Sequence, residues 1–160
     1  MPQPEIVCRR EHAMFRTIIW ATDGSAGADQ ALGYATNVAR ANGAQLVVVH
    51  GEELSGARSS IGYTRRADEE DLEAKIKRQV AEIAESGISV SVKVIEGHAH
   101  PATLIAEVAE DIGADLVVVG TRGHTPLAGL MLGSVTDRLL HILHIPVLAV
   151  PATAKPGKTS

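Results

Sequence analysis

Aromatic residues are almost missing from this chain: one tryptophan, two tyrosines and one phenylalanine make up 2% of its 160 residues. Platforms that stack nucleic-acid bases need aromatic rings, and a nucleic-acid binder also needs a concentrated basic face. Here the 15 Lys and Arg residues are scattered and the formal net charge is −4, so nucleic acid is not an expected partner. Cysteine is reduced to Cys8, which excludes an internal disulfide framework and fits a reducing compartment. Long apolar runs are lacking too. No stretch approaches the ~18 apolar residues of a membrane-spanning helix, and the opening MPQPEIVCRREHAM places charges where a signal peptide needs an uninterrupted apolar core. The expected location is the cytoplasm, with no membrane partner.

What is present is a hydrophobic fraction of 45%, enough for one domain with a sizeable core, and no interior linker that would divide it. Residues 14–151 are expected to form that domain. Met14 opens MFRTIIWATDGS, so residues 1–13 read as a flexible extension or an over-extended start, and 152–160 read as a flexible tail. Strand-like runs fall at about 15–21, 45–50, 88–95, 115–119 and 146–150. Helical patterns lie between them. The first runs from Ser25, a capping residue, to Asn42, with Gly43 placed to end it. The second, about 67–86, carries Leu72, Ile76, Val80 and Ile83 on one face. The third starts at Pro101 with Leu104, Ile105, Val108 and Ile112 inward, and the fourth, about 134–143, has Val135, Leu139, Ile142 and Leu143 as its stripe.

Strands regularly separated by helices imply crossover units, hence an α/β fold: one open, twisted, five-stranded parallel sheet with helices on both faces. LVVVH and DLVVVG are continuous apolar runs, as central strands should be, while ISVSVKVI alternates and PVLAV is short and bounded by prolines, which suits edges. The expected order is 3-2-1-4-5. Its winding reverses between the first and fourth strands, and open α/β sheets bind ligands at the carboxyl ends beside such a reversal.

Two segments leave the sheet there. The first strand ends in WATDGS, presenting Asp23, and the fourth ends in Gly120, from which the spacing runs glycine, two residues, glycine, nine residues, glycine-serine: Gly120, Gly123, Gly133, Ser134. Glycines let backbone N–H groups approach a bulky anion, and Gly133 and Ser134 stand at a helix start, where unpaired N–H groups favour phosphate; the hydroxyls of Ser134 and Thr136 are candidate further donors. The competing reading is a glycine-rich surface loop. Asp23 likewise reads either as a ligand contact or as a turn residue in TDGS, and Arg122, the only cation inside the motif, as a phosphate partner or a solvated arginine. His98 with His100 and His141 with His144 are spaced as metal pairs, but a third and fourth ligand are unassigned, so no metal site is expected from them. RRADEEDLEAKIKR reads as the solvated face of the second helix.

The segments IIWATDGSAGADQALGYA and GADLVVVGTRGH, with the closing LGSVTDRLLHILHIPVLAV, together resemble the universal stress protein family from about Phe15 to Pro151. The glycine pattern is the one associated with its ATP-binding members. The resemblance implies a Rossmann-like, adenine nucleotide alpha-hydrolase-like fold, ATP accompanied by Mg²⁺, and a homodimer formed through the last strand, Val147 to Val150. It implies that Ala21 and Asp23 flank the adenosine, that Val119 and Gly120 line its other side, and that Gly123, Gly133, Ser134, Val135 and Thr136 hold phosphates and ribose. One position departs from the family: where a histidine and an apolar residue commonly end the second strand, this chain has His50-Gly51, so a thin wall beside the base is expected.

The leading functional expectation is an ATP-binding regulatory or stress-response module, with residues 124–132 and the connection GEELSGARSSIGYTRR ordering over the nucleotide. A slow ATPase is the enzymatic alternative, although the motif lacks the lysine of a GxxxxGK[ST] loop. A nucleotide-free interaction module of the same fold is the other.

Overall fold

Strand and helix alternate from the first described turn to the last. The computed structural model describes residues 13–53, 64–122 and 132–152. In chain order these form β1 (Thr17–Ala21), α1 (Ala26–Asn42), β2 (Gln45–Glu53), α2 (Thr64–Glu85), β3 (Val90–Gly97), α3 (Pro101–Asp111), β4 (Leu116–Gly120), α4 (Ser134–Ile142) and β5 (Val147–Val150). All four strand pairings are parallel and the order is β3-β2-β1-β4-β5, as expected from the apolar patterning. Cys8, Gly123, most of the expected terminal extensions and most of the two loops expected to close over a ligand lie outside the described residues.

The strand periodicity of two divides the core into two layers. Ile18, Trp20, Leu46, Val48, Leu116 and Val118 face α1 and α2, whereas Ile19, Val47, Val49, Val117 and Val119 face α3 and α4. Burying one such Val or Ile contributes about 1.5–3 kcal/mol, and four of the five β4 residues are buried. The buried residues of helix α1 are all alanines, Ala28, Ala31, Ala35 and Ala39, flanked by partly buried Leu32, Tyr34 and Val38, and its backbone lies close to β1 and β4. Its start is capped by Ser25, whose Oγ accepts from Ala28 N, and its end by Gly43 at φ +60°. The one tryptophan, Trp20, is fully buried beneath this helix and donates its indole N–H to Ala28 O at 3.0 Å.

Two expected boundaries are corrected. Strand β2 does not stop at His50 but continues through Gly51 to Glu53, because β3 pairs with it to Glu53↔Gly97; a partner strand overrides the breaking tendency of a lone glycine. Helix α2 begins at Thr64 rather than 67, so the connection between them is shorter than its sequence implied. Among the described residues no helix is long and apolar enough to cross a membrane.

Candidate functional site

At the carboxyl end of β1 the backbone turns sharply and is held at each step. Thr22 N donates to Val49 O (2.9 Å), and His50 Nδ1–H donates to Thr22 O (2.8 Å). Asp23 Oδ1 accepts from Ser25 N at 2.9 Å, a side-chain turn of the kind TDGS favours. Gly24 sits at φ +78°, and Leu72 of α2 occupies the space where its side chain would be. Lys75 of α2 donates to Gly24 O (2.7 Å) and pairs with Asp29 Oδ2 (2.6 Å), while Gln79 donates to Asp29 Oδ1 (2.9 Å). Within the run read as the solvated face of α2, Lys75 is a correction: with Leu72, already placed on the inward face, it braces the turn that carries Asp23, and Gln79, just beyond the run, ties α2 to Asp29 of α1.

The end of β4 is built against the start of α1. A Cβ on Gly120 would lie 2.6 Å from Gly27 O and 3.1 Å from Ala28 N, and a Cβ on Gly27 would collide with Arg122 O. These glycines allow two backbones to meet. Beyond them Thr121 N donates to Val150 O (2.9 Å) and Gly133 N donates to Thr121 O (2.7 Å), which fixes the start of α4 beside β4. Gly133 caps α4 with no side-chain hydrogen bond, whereas α1 and α3 start with side-chain caps from Ser25 and His100. The first N–H groups of α4 thus stand beside the crevice with no capping side chain at Gly133 among the described residues. Thr136 is buried and donates its hydroxyl to Gly120 O at 2.7 Å, so the expectation of a donor to phosphate is corrected for this residue: its proton is committed to holding β4 and α4 together.

Between these two constructions lies a cleft of about 420 Å³, within the ~300–1,000 Å³ range of small-ligand sites. Eight of the nine residues singled out in the sequence line it, namely Ala21, Asp23, Val119, Gly120, Gly133, Ser134, Val135 and Thr136; Gly123 lies outside the described residues. Thr22, Ala28, Pro101, Ile105 and Arg122 join them. The sequence reading assigned Pro101 and Ile105 only to helix start and core. Their signal was positional, since α3 must begin at the same sheet edge as the glycine motif. Gly51, where a thin wall was expected, itself lines the cleft, with α3 packed against it. A Cβ there would meet Pro101 O at 3.3 Å and Ile105 Cγ1 at 3.6 Å, so α3 closes the side that strand two leaves open.

Asp23 is the one carboxylate among the described residues lining the cleft. No group of three or more metal-ligating side chains occurs among the described residues, so a divalent cation here needs oxygens from a ligand, the usual way Mg²⁺ is held beside nucleotide phosphates. His100 Nδ1 accepts from Ala102 N (3.2 Å) and His141 Nδ1–H donates to Asp137 O (2.7 Å), roles in helix ends that the histidine spacing did not reveal.

The sequence model of the universal stress protein family matches residues 14–151. This chain belongs to that family. A universal stress protein of Thermus aquaticus, from the QAH/OAS sulfhydrylase 3′ region, is 34% identical over 138 residues, 86% of this chain and 99% of its own. The solved structure of MJ0577 from Methanocaldococcus jannaschii is similar with a TM-score of 0.75 at 25% identity, covering 89% of this chain and 99% of that one. A universal stress protein solved in complex with cAMP has a TM-score of 0.64 at 23% identity, over 87% of this chain and 98% of its own. One from Archaeoglobus fulgidus in complex with dAMP has a TM-score of 0.62 at 24% identity, over 86% and 98%. Those two proteins carry adenine nucleotides; what they share with this universal stress protein is the fold.

Proposed function

We propose that this universal stress protein binds ATP, with Mg²⁺, in the cleft at the switch point, and acts as a nucleotide-responsive regulatory module in the cytoplasm rather than as a catalyst of turnover. The observation that carries the reading is the start of α4, which opens on the cleft beside Gly120 without the side-chain cap that α1 and α3 have. Unpaired N–H groups and the positive end of the helix dipole suit phosphate oxygens. In this reading Ala21 and Asp23 flank the adenosine, Val119 and Gly120 line its other side, and Gly133, Ser134 and Val135, with Gly123, hold phosphates and ribose. Thr136 fixes the geometry from behind. Asp23, the one carboxylate among the described lining residues, would help hold Mg²⁺ together with oxygens of the ligand, and the ion would supply charge neutralisation for the phosphates. ATP then acts by mass action on the conformation or oligomer it prefers. Residues 14–151 act as one domain, and β5, Val147–Val150, an edge strand, is the surface for a homodimer.

A second reading, a nucleotide-free interaction module, draws on a specific observation: Asp23, Gly120 and Thr136 each already have a structural task. Calorimetric titration of the purified protein with ATP and Mg²⁺, beside GTP and AMP, separates the two, after the denatured protein has been checked for released nucleotide. Binding of micromolar order, about −8 kcal/mol, with ATP preferred supports the proposal. Absence of both heat and released nucleotide refutes it in favour of the interaction module.

A further inference from the structure

The N–H groups at the start of α4 carry no net charge, and such donors recognise a phosphate without counting how many follow. Charge counting requires a full charge. Among the described residues that line the cleft there is one cation, Arg122, and one anion, Asp23. Their charges cancel. A carboxylate at Asp23 repels each added phosphate unless a metal or the sugar stands between, so among the described lining residues Arg122 is the one whose charge favours a longer phosphate chain over a shorter one.

The backbone at Arg122 is placed for that task. Its carbonyl lies against the Cβ-free face of Gly27 at the start of α1. The residue before it, Thr121, is held on both sides, by Val150 O and by Gly133 N. The root of the side chain is therefore fixed between two helix starts, while the side chain itself is exposed at the cleft margin. A guanidinium offers a planar fork that grips phosphate in bidentate fashion, which an ammonium does not. We propose that Arg122 is a specificity-determining residue of the cleft, making affinity rise with the number of phosphates on an adenine nucleotide. The proposal rests on the nucleotide-site reading above and adds to it which phosphate-bearing ligand the site prefers and why.

The test compares wild type, Arg122→Gln and Arg122→Lys in titrations with ATP, ADP, AMP and adenosine at low and moderate salt, without added metal and again with Mg²⁺. Arg122→Gln is expected to weaken ATP by on the order of tenfold or more, the loss of a charge-assisted contact, while adenosine affinity stays at the wild-type value. The salt dependence of ATP binding flattens in the same variant. Arg122→Lys falls between, because charge is kept and the fork is lost. Equal affinity ratios of ATP to adenosine in wild type and Arg122→Gln overturn the role of Arg122 and leave the nucleotide site standing. A parallel loss of ATP and adenosine assigns Arg122 a structural role and also overturns the proposal. No binding of any of the four ligands by the wild type refutes the nucleotide site itself, and the proposal with it.

Discussion

Alanine in place of Gly120 is expected to destabilise the fold, and alanine in place of Gly33 to stabilise it, although the substitution is chemically the same. At Gly120 the new Cβ would stand 2.6 Å from Gly27 O, 2.7 Å from Gly27 C and 3.1 Å from Ala28 N. Ordinary contact needs about 3.4 Å, so the start of α1 must retreat by about 0.8 Å. All three obstructing atoms belong to backbone, and that backbone is tied down by the Ser25 cap, by the Trp20 indole and by Lys75 on Gly24 O. Relief by rotating a side chain is therefore closed off, and the cost is that of overpacking, about 1–3 kcal/mol. For a domain of this size the melting temperature falls by about 3–10 °C. At Gly33, inside α1, nothing lies within 4 Å of the new Cβ, and replacing a helical glycine gains about 0.5–1 kcal/mol, a rise of about 2–4 °C. Thermal unfolding followed by far-ultraviolet circular dichroism reads both. A Gly120→Ala protein that melts at or above wild type would refute the inference that β4 and α1 are in backbone contact.

Three other substitutions have defined outcomes. Thr136→Val leaves Gly120 O without its buried donor and should cost about 1–2 kcal/mol, measured by urea unfolding; an unchanged midpoint would show that the Thr136 bond to Gly120 contributes nothing. Gly51→Val, which on the family pattern is a restoration, should instead lower the melting temperature, because α3 already fills that space with Pro101 and Ile105; a more stable variant would mean that the wall is open. Asp23→Asn keeps an oxygen for Ser25 N but removes the charge, so Mg-ATP affinity measured by calorimetry should fall about tenfold. Unaltered affinity would reduce Asp23 to a turn residue.

Much of this architecture is legible without coordinates because it is written in local signals. Strand order followed from which runs are continuously apolar and which alternate, and Ser25, Gly43 and Pro101 mark helix ends through the conformations they favour. The placement of Asp23 and the Gly120 motif on one cleft followed from the reversal of winding. Contacts between distant backbones have no such signature. Gly27 is a glycine in the first turn of a helix, a weak choice by propensity, and only the approach of Arg122 O and Gly120 explains it. Strand β2 reaches Glu53 because β3 is there to pair, and Lys75 looked like one charge among many in a hydrophilic helix until the carbonyl of Gly24 was found within its reach. Thr136 carried the right chemistry for a phosphate contact, yet its own fold claims the proton.

The solitary tryptophan gives the molecule a built-in optical gauge. Trp20 is fully buried, and its indole N–H is bonded to Ala28 O, the carbonyl of a residue that lines the cleft. With no second indole in the chain, the wavelength and intensity of its emission belong to one place, the seam between β1 and the first turn of α1. A ligand that shifts that turn must change the light the protein emits, and one that leaves the seam at rest must not.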